Sequence, residues 1–159
     1  MNFLNSKYKN MGKEAFIKNA ALLCLIADVL NLIYVNFYWF QQRFTPQFIR
    51  TIFQAKGIDT ASMTNTTILQ YKYLLISSVS NVLIIFLGVH AFIYFLFIKK
   101  VRWPAKYIGG YCLSAVILTG LELFLFRNSL SSWSLLLMFT ALLYFIIFKG
   151  IKFLKIQEQ

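Results

Sequence analysis

Four long apolar stretches constrain what this 159-residue chain can fold into. A helix needs about 20 apolar residues to cross a hydrocarbon core of about 30 Å, and each stretch is close to that length or longer. Because the connections between most of them are short, little of the chain remains for a soluble domain. The sequence therefore predicts a multi-pass membrane protein with spans at roughly Ala15–Phe40, Tyr73–Ile98, Tyr107–Phe126 and Leu130–Phe148.

The lengths of the connections indicate the fold class. Tight turns are expected around Trp103-Pro104 and at residues 127–129, and short links make consecutive helices antiparallel neighbours. We expect an all-α protein in which residues 1–159 form one membrane domain, an antiparallel bundle of four transmembrane helices. The remaining segments are an outer loop at 41–72 and a basic tail at 149–159.

Positive charge gathers at one end of the predicted spans, and the formal net charge is +11. Basic residues favour the cytoplasmic side, so both termini are expected in the cytoplasm. The charge then marks topology and contact with anionic lipids, and it does not form a nucleic-acid surface. The composition, rich in Lys, Asn, Ile and Phe, favours a bacterial inner membrane. The predicted inner group is Lys7, Lys9, Lys13, Lys18, Lys99, Lys100, Arg102, Lys106, Lys149, Lys152 and Lys155; the outer group is Arg43, Arg50, Lys56, Lys72 and Arg127.

The outer loop contains the signals of a short helix. Thr45 is a good N-cap, Pro46 suits the first helical position, and Gly57 suits the end. We expect an amphipathic helix lying flat in the membrane interface, although its apolar face could instead bind a partner. A Ser/Thr-rich loop at Asp59–Thr67 is expected to follow. The apolar face comprises Phe48, Ile49, Ile52 and Phe53.

Asp28 is the residue of the chain that most strongly suggests a specific role, because it is an acid within an apolar span. Counted from Ala15 it lies about 20 Å into the first span, where an uncompensated carboxylate is costly. It should therefore face other helices. It is either a packing residue that fixes helix register or a site that couples to a proton or ion. Residues on the same helical face are Ala21, Cys24, Asn31 and Val35.

Other polar residues within the spans also form stripes. In the third span Thr119 and Glu122 follow Cys112 and Ala115 on one face, and Arg127 could pair with Glu122. The fourth span has few polar residues and is expected to be the most exposed to lipid. The intramembrane coupling candidates are Asp28, Asn31, Asn81, Thr119 and Glu122. The candidates for close helix contact are Ser77 and Gly88 in the second span, with Gly110 and Ser114 in the third.

His90 and the two cysteines are expected to be structural. His90 lies nine residues from Asn81, on roughly the opposite helical face, and its apparent depth differs from that of Asp28. The sequence thus argues against a His–carboxylate pair or a metal site. Cys24 and Cys112 are expected to be small buried residues without a disulfide, because cytoplasmic thiols stay reduced.

Standard enzyme motifs are missing from the sequence, so we expect a non-catalytic protein without cofactor or metal. The leading hypothesis is an assembly, accessory or scaffold subunit of a membrane complex, bound to another membrane protein or to its own copies. The alternatives are a small oligomeric proton- or ion-coupled transporter that uses Asp28, or a lipid-binding membrane protein. Nucleic acid is not an expected partner.

Overall fold

The computed structural model describes residues 8, 11–125 and 131–154, and that part of the chain is helical and contains no strand. Four of its helices are long and apolar enough to cross a membrane, and a fifth is short. This confirms the all-helical class and the number of long apolar helices. In chain order the helices are α1 (Lys13–Arg43), α2 (Pro46–Ala55), α3 (Asn65–Ile98), α4 (Arg102–Leu125) and α5 (Ser132–Phe153).

Most of the long helices extend beyond their predicted apolar stretches. The largest difference is at α3, which begins at Asn65 and not at Tyr73, so part of the expected Ser/Thr-rich loop is helical. The hydroxyl of Thr64 accepts a hydrogen bond from the backbone N–H of Thr67 (3.2 Å). This contact satisfies a donor of the first helical turn, as an N-cap does. A prediction based on hydropathy thus does not include the polar residues at the start of a helix.

The connection between α3 and α4 differs from the predicted turn. The non-helical residues are Lys99–Val101, and Lys100 adopts a left-handed conformation with φ of 60°. Trp103 and Pro104 lie in the first turn of α4, where the missing N–H of proline costs no helical hydrogen bond. The second predicted turn, at 127–129, lies outside the described residues, as do Lys7, Lys9, Phe126, Leu130 and Lys155.

The chain divides into two compact units. The core unit comprises Met1–Asn31 and Leu87–Gln159, and the loop unit comprises Leu32–Phe86. In the core unit, one cluster of buried side chains draws on all four long helices and on Tyr8, so these helices share a hydrophobic core there. The cluster contains Tyr8, Phe16, Ile17, Ala20, Ala21, Cys24, Ala27, Ile93, Tyr94, Phe97, Ala105, Ile108, Cys112, Ala115, Leu143, Tyr144, Ile147 and Ile151.

Gly150 permits a close approach of α1 to α5 in the core unit. A Cβ atom at this position would lie 2.1 Å from Cε2 of Phe16, so a larger residue requires the ring to move. The hydroxyl of Tyr8 donates to the carbonyl of Ile146 (2.7 Å) on the same helix. The chain before α1 is therefore held against the last turns of α5.

The burial of α5 contradicts the sequence prediction. In its most apolar window 39% of the residues are buried, the largest share of the four long helices, whereas α3 has 22%. The expectation that α5 is the most lipid-exposed span is wrong. Its few polar residues were the basis of that prediction, but Leu143, Tyr144 and Ile147 fill the core without adding polar character.

The short helix of the loop unit has the predicted caps. Thr45 has extended backbone angles, its hydroxyl accepts from the N–H of Phe48 (3.2 Å), and Pro46 occupies the first turn. Gly57, just beyond the helix, has φ of +73°, a conformation that disfavours other residues. The local signals for α2 are therefore confirmed.

The apolar face of α2 is largely buried. Ile49 is fully buried, Ile52 and Phe53 are half-buried, and only Phe48 is exposed. The ring of Phe53 packs edge-on against Tyr71 of α3, with centroids 4.9 Å apart. Flat placement of α2 in the interface stays a prediction, but most of its apolar face is already covered by the chain.

Arg50, on the opposite side of α2, forms hydrogen bonds with the loop that follows this helix. Its guanidinium donates to the carbonyls of Thr60 (2.8 Å) and Met63 (3.2 Å) and to Oδ1 of Asn65 (3.1 Å). A planar fork with several donors suits three acceptors at once. The second half of the loop between α2 and α3 is thus held against α2.

Candidate functional site

Asp28 lies at the centre of a buried hydrogen-bonded cluster in the core unit, and only 7% of its surface is exposed. Its Oδ1 accepts from the hydroxyls of Tyr111 (2.7 Å) and Tyr144 (2.6 Å). Its Oδ2 accepts from the hydroxyl of Tyr94 (2.5 Å) and lies 3.0 Å from Nδ1 of His90. Each carboxylate oxygen therefore has two partners, which matches the acceptor capacity of an ionised carboxylate.

Helical spacing brings these partners together from three helices. On α3, His90 and Tyr94 are four residues apart and share one face, and on α4 Tyr107 and Tyr111 do the same. The rings of Tyr107 and Tyr111 are stacked, with centroids 6.2 Å apart. Tyr144 completes the cluster from α5. The carboxylate of α1 thus contacts every other long helix.

The contact between His90 and Asp28 contradicts the sequence prediction for His90. The prediction took the face of Asn81 as the packed face of α3, but Asn81 is exposed and His90 is fully buried. The prediction that His90 and Asp28 lie at different depths was also wrong. Lys18 and Lys99 are basic residues at the predicted inner ends of the two spans. Asp28 lies about 15 Å along the helix from Lys18 and His90 about 14 Å from Lys99, so the two depths agree.

The hydrogen bonds to Asp28 explain how a charge is tolerated at this depth. A hydrogen bond to a charged group is worth about 1.5–3 kcal/mol, so four donors offset much of the cost of burying the carboxylate. While Asp28 is ionised, Nδ1 of His90 carries the proton that faces it, and Nε2 is then an acceptor in the neutral ring. The hydroxyl of Tyr107 lies 2.8 Å from that Nε2.

The other candidates from the sequence fall into two groups. Thr119 is buried on the face of α4 that also carries Cys112 and Ala115, while Asn31 and Glu122 are half-buried, and none of the hydrogen bonds described above joins them to Asp28. The second group consists of exposed residues. The helix contacts predicted for some of them are therefore not made in the buried cluster of the core unit. It comprises Ser77, Asn81, Gly88, Gly110 and Ser114.

The two cysteines lie beside the cluster and close to each other. Cys24 is one helical turn before Asp28, and its Sγ lies 3.8 Å from Sγ of Cys112 on α4. Both are buried and unoxidised, so their expected burial is confirmed, whereas their proximity was not predicted. Across the described ranges, no group of three or more His, Cys, Asp or Glu side chains is arranged to hold a metal ion.

The tyrosines are the residues that the sequence interpretation missed. The sequence analysis did not consider a tyrosine hydroxyl as a donor to Asp28. The paired spacings of His90 with Tyr94 and of Tyr107 with Tyr111 were the available signal, because each pair places polar tips on one helical face. Comparison with known proteins adds no further candidate: no family model, no curated protein and no solved structure matches the chain significantly.

Proposed function

We propose that the chain is a small proton-coupled membrane transporter that works as an oligomer, with Asp28 as the group that takes up and releases the coupling proton. The observation that carries this proposal is the buried contact of 3.0 Å between Asp28 and His90. A carboxylate and an imidazole together can hold a proton in more than one position. An ionisable residue inside a membrane span is expensive and is usually retained for function.

The crowding of the carboxylate favours a proton over a larger ion. Both oxygens of Asp28 already have two partners each, at 2.5–3.0 Å. A metal or organic cation would have to displace tyrosine hydroxyls before it could reach them. A proton needs no such space.

Protonation would change the packing of the helices around Asp28. The ionised carboxylate accepts from α3, α4 and α5, but a protonated carboxyl group has one O–H donor and fewer acceptor positions. At least one partner must then turn away or exchange its role. The state of one proton is thereby linked to contacts with three other helices, as coupling requires.

The proposed arrangement is an antiparallel four-helix bundle in a bacterial inner membrane, with both termini in the cytoplasm. The support is the basic character of three segments, at the start of α1, between α3 and α4 and at the end of α5, which would also contact anionic lipids. These segments include Lys13, Lys18, Lys99, Lys100, Arg102, Lys149 and Lys152.

Exposed polar and small residues on α3 support an oligomer. Asn81 and Ser77 lie on the outside of a long apolar helix, about two and three turns before Gly88, which is also exposed. Polar and small residues at such positions favour contact with another helix in the membrane. Four helices alone would hardly enclose a substrate path, so a second copy is the proposed occupant.

Proton binding can be tested without knowing the substrate. Purified protein in liposomes on a solid-supported membrane is exposed to a small pH step, and the displaced charge is recorded. We expect a transient in the wild type and in Glu122→Gln, which alters another acid of the spans, but none in Asp28→Asn at equal incorporation. An absent wild-type transient, or an unchanged one in Asp28→Asn, would refute the proposal.

The second candidate is an accessory or scaffold subunit, favoured by the exposure of Asn81 in a membrane helix. In that case a different protein covers the face of α3 that carries Asn81. Gentle extraction from the native membrane followed by mass analysis separates the two candidates. A stoichiometric foreign subunit lost in Asn81→Leu supports the accessory role, whereas a homo-oligomer supports the transporter.

A further inference from the structure

A hydrogen-bonded chain leads from the buried carboxylate towards the surface of the core unit. Oδ2 of Asp28 contacts Nδ1 of His90 (3.0 Å), and Nε2 of the same ring contacts the hydroxyl of Tyr107 (2.8 Å). His90 is 0% exposed, but Tyr107 is 36% exposed. One nitrogen of the imidazole therefore contacts the buried acid, and the other contacts the hydroxyl of a partly exposed tyrosine.

We propose that Tyr107 and His90 form the route by which a proton travels between Asp28 and water at the Arg102 end of α4. This inference rests on the proposed function, since it assigns the path to the same coupling site. Tyr107 lies five residues after Arg102, about 8 Å along the helix, which is a depth typical of interfacial tyrosines. The path therefore starts where water is available.

The transfer balances as a relay through one neutral imidazole. The proton on Nδ1 of His90 moves to Oδ2 of Asp28, and the hydroxyl proton of Tyr107 moves to Nε2. A proton from water replaces the one that Tyr107 lost. The net change is one proton taken from water and one carboxyl group formed, with His90 left in its other neutral tautomer. Release runs through the same steps in reverse.

The other titratable groups at the carboxylate do not provide an equivalent path. Tyr94 and Tyr144 are buried, and Tyr111, although half-buried, donates directly to Asp28 and bypasses the imidazole. The thiols of Cys24 and Cys112 are buried as well. Tyr107 is the one tyrosine of the cluster that is exposed and contacts the cluster through His90.

The test compares the rate and the size of the charge transient after a pH step. In Tyr107→Phe, which keeps the ring, and in His90→Gln, which keeps polar contacts without two tautomers, we expect relaxation slowed by at least about tenfold. The total displaced charge in Tyr107→Phe should equal that of the wild type, because Asp28 still binds the proton. Tyr73→Phe removes the hydroxyl of an exposed tyrosine outside the cluster, and we expect wild-type kinetics.

The outcomes separate the route from the function. If Tyr107→Phe relaxes at the wild-type rate while Asp28→Asn abolishes the transient, the route is wrong and the coupling site stands. If Tyr107→Phe loses displaced charge without slowing, the hydroxyl only supports the structure, and the route is again wrong. If Asp28→Asn leaves the transient unchanged, the proposed function itself fails.

Discussion

Helices α1 and α3 exchange side-chain hydrogen bonds in both units of the chain, but with different chemistry. In the core unit Asp28 contacts His90 and Tyr94, whereas in the loop unit the hydroxyl of Ser80 donates to Oδ1 of Asn36. Asn36 also donates to the carbonyl of Leu32 on its own helix, and the one hydroxyl proton of Ser80 is shared between Asn36 and the carbonyl of Ile76 on α3.

The difference lies in where each polar group finds its partners. Asn36 and Ser80 are partly satisfied by the backbone of their own helices, so their mutual contact is one bond among several. Asp28 depends entirely on side chains from three other helices. A polar group satisfied within its own helix can be replaced at little cost, but one satisfied from three other helices fixes their arrangement.

The largest expected effect is that of Asp28→Ala. The change leaves three tyrosine hydroxyls and the N–H of His90 without this acceptor, and each buried donor left unsatisfied costs about 1–3 kcal/mol. We expect the free energy of unfolding to fall by at least about 3 kcal/mol, measured by titration with sodium dodecyl sulfate in mixed micelles. Asn36→Ala should lose about 1 kcal/mol or less. Equal losses would remove the distinction between the two clusters.

Gly150→Ala should have the next largest effect, because it tests the packing of the core unit without changing a residue hydrogen-bonded to Asp28. The added methyl group meets the ring of Phe16, and overpacking of this kind costs about 1–3 kcal/mol. Gly110→Ala is the matched control, since nothing lies within 4 Å of a Cβ there. The same unfolding titration should place Gly110→Ala at or slightly above the wild type. A loss as large as that of Gly150→Ala would contradict the packing described.

The smallest expected effect is the coupling between Asn36 and Ser80. Polar pairs between membrane helices average about 0.6 kcal/mol in double-mutant cycles. We expect a similar value from Asn36→Ala, Ser80→Ala and the double variant, measured in the same titration. A coupling above about 2 kcal/mol would show that the loop unit depends on its polar pair as strongly as the core unit does on Asp28.

Hydropathy and local capping rules predicted much of the fold. The four long helices follow from apolar length, and α2 follows from Thr45, Pro46 and Gly57, because both kinds of signal lie within one segment. The burial of α5 could not be predicted in this way. In a membrane, apolar residues suit lipid and protein alike, so Leu143 and Ile147 carry no sign of which side they face.

The candidate site was predicted in part. Asp28 was identified because a carboxylate in an apolar span is conspicuous on its own. His90 was rejected because its helical face was judged from Asn81, and pairing between distant helices is a tertiary property. Tyr94 and Tyr144 were missed because a tyrosine ring suits the core, and only the three-dimensional arrangement turns its hydroxyl towards an acid.

The thiols of Cys24 and Cys112 can report whether α1 and α4 are close to each other. Their sulfur atoms face each other across α1 and α4, one helical turn from Asp28. A mild oxidant that joins them would report that the two helices are in contact, and a state in which the helices separate would escape cross-linking. If the proposed proton coupling separates α1 from α4, the change can therefore be followed by counting the thiols that remain, without introducing a new side chain.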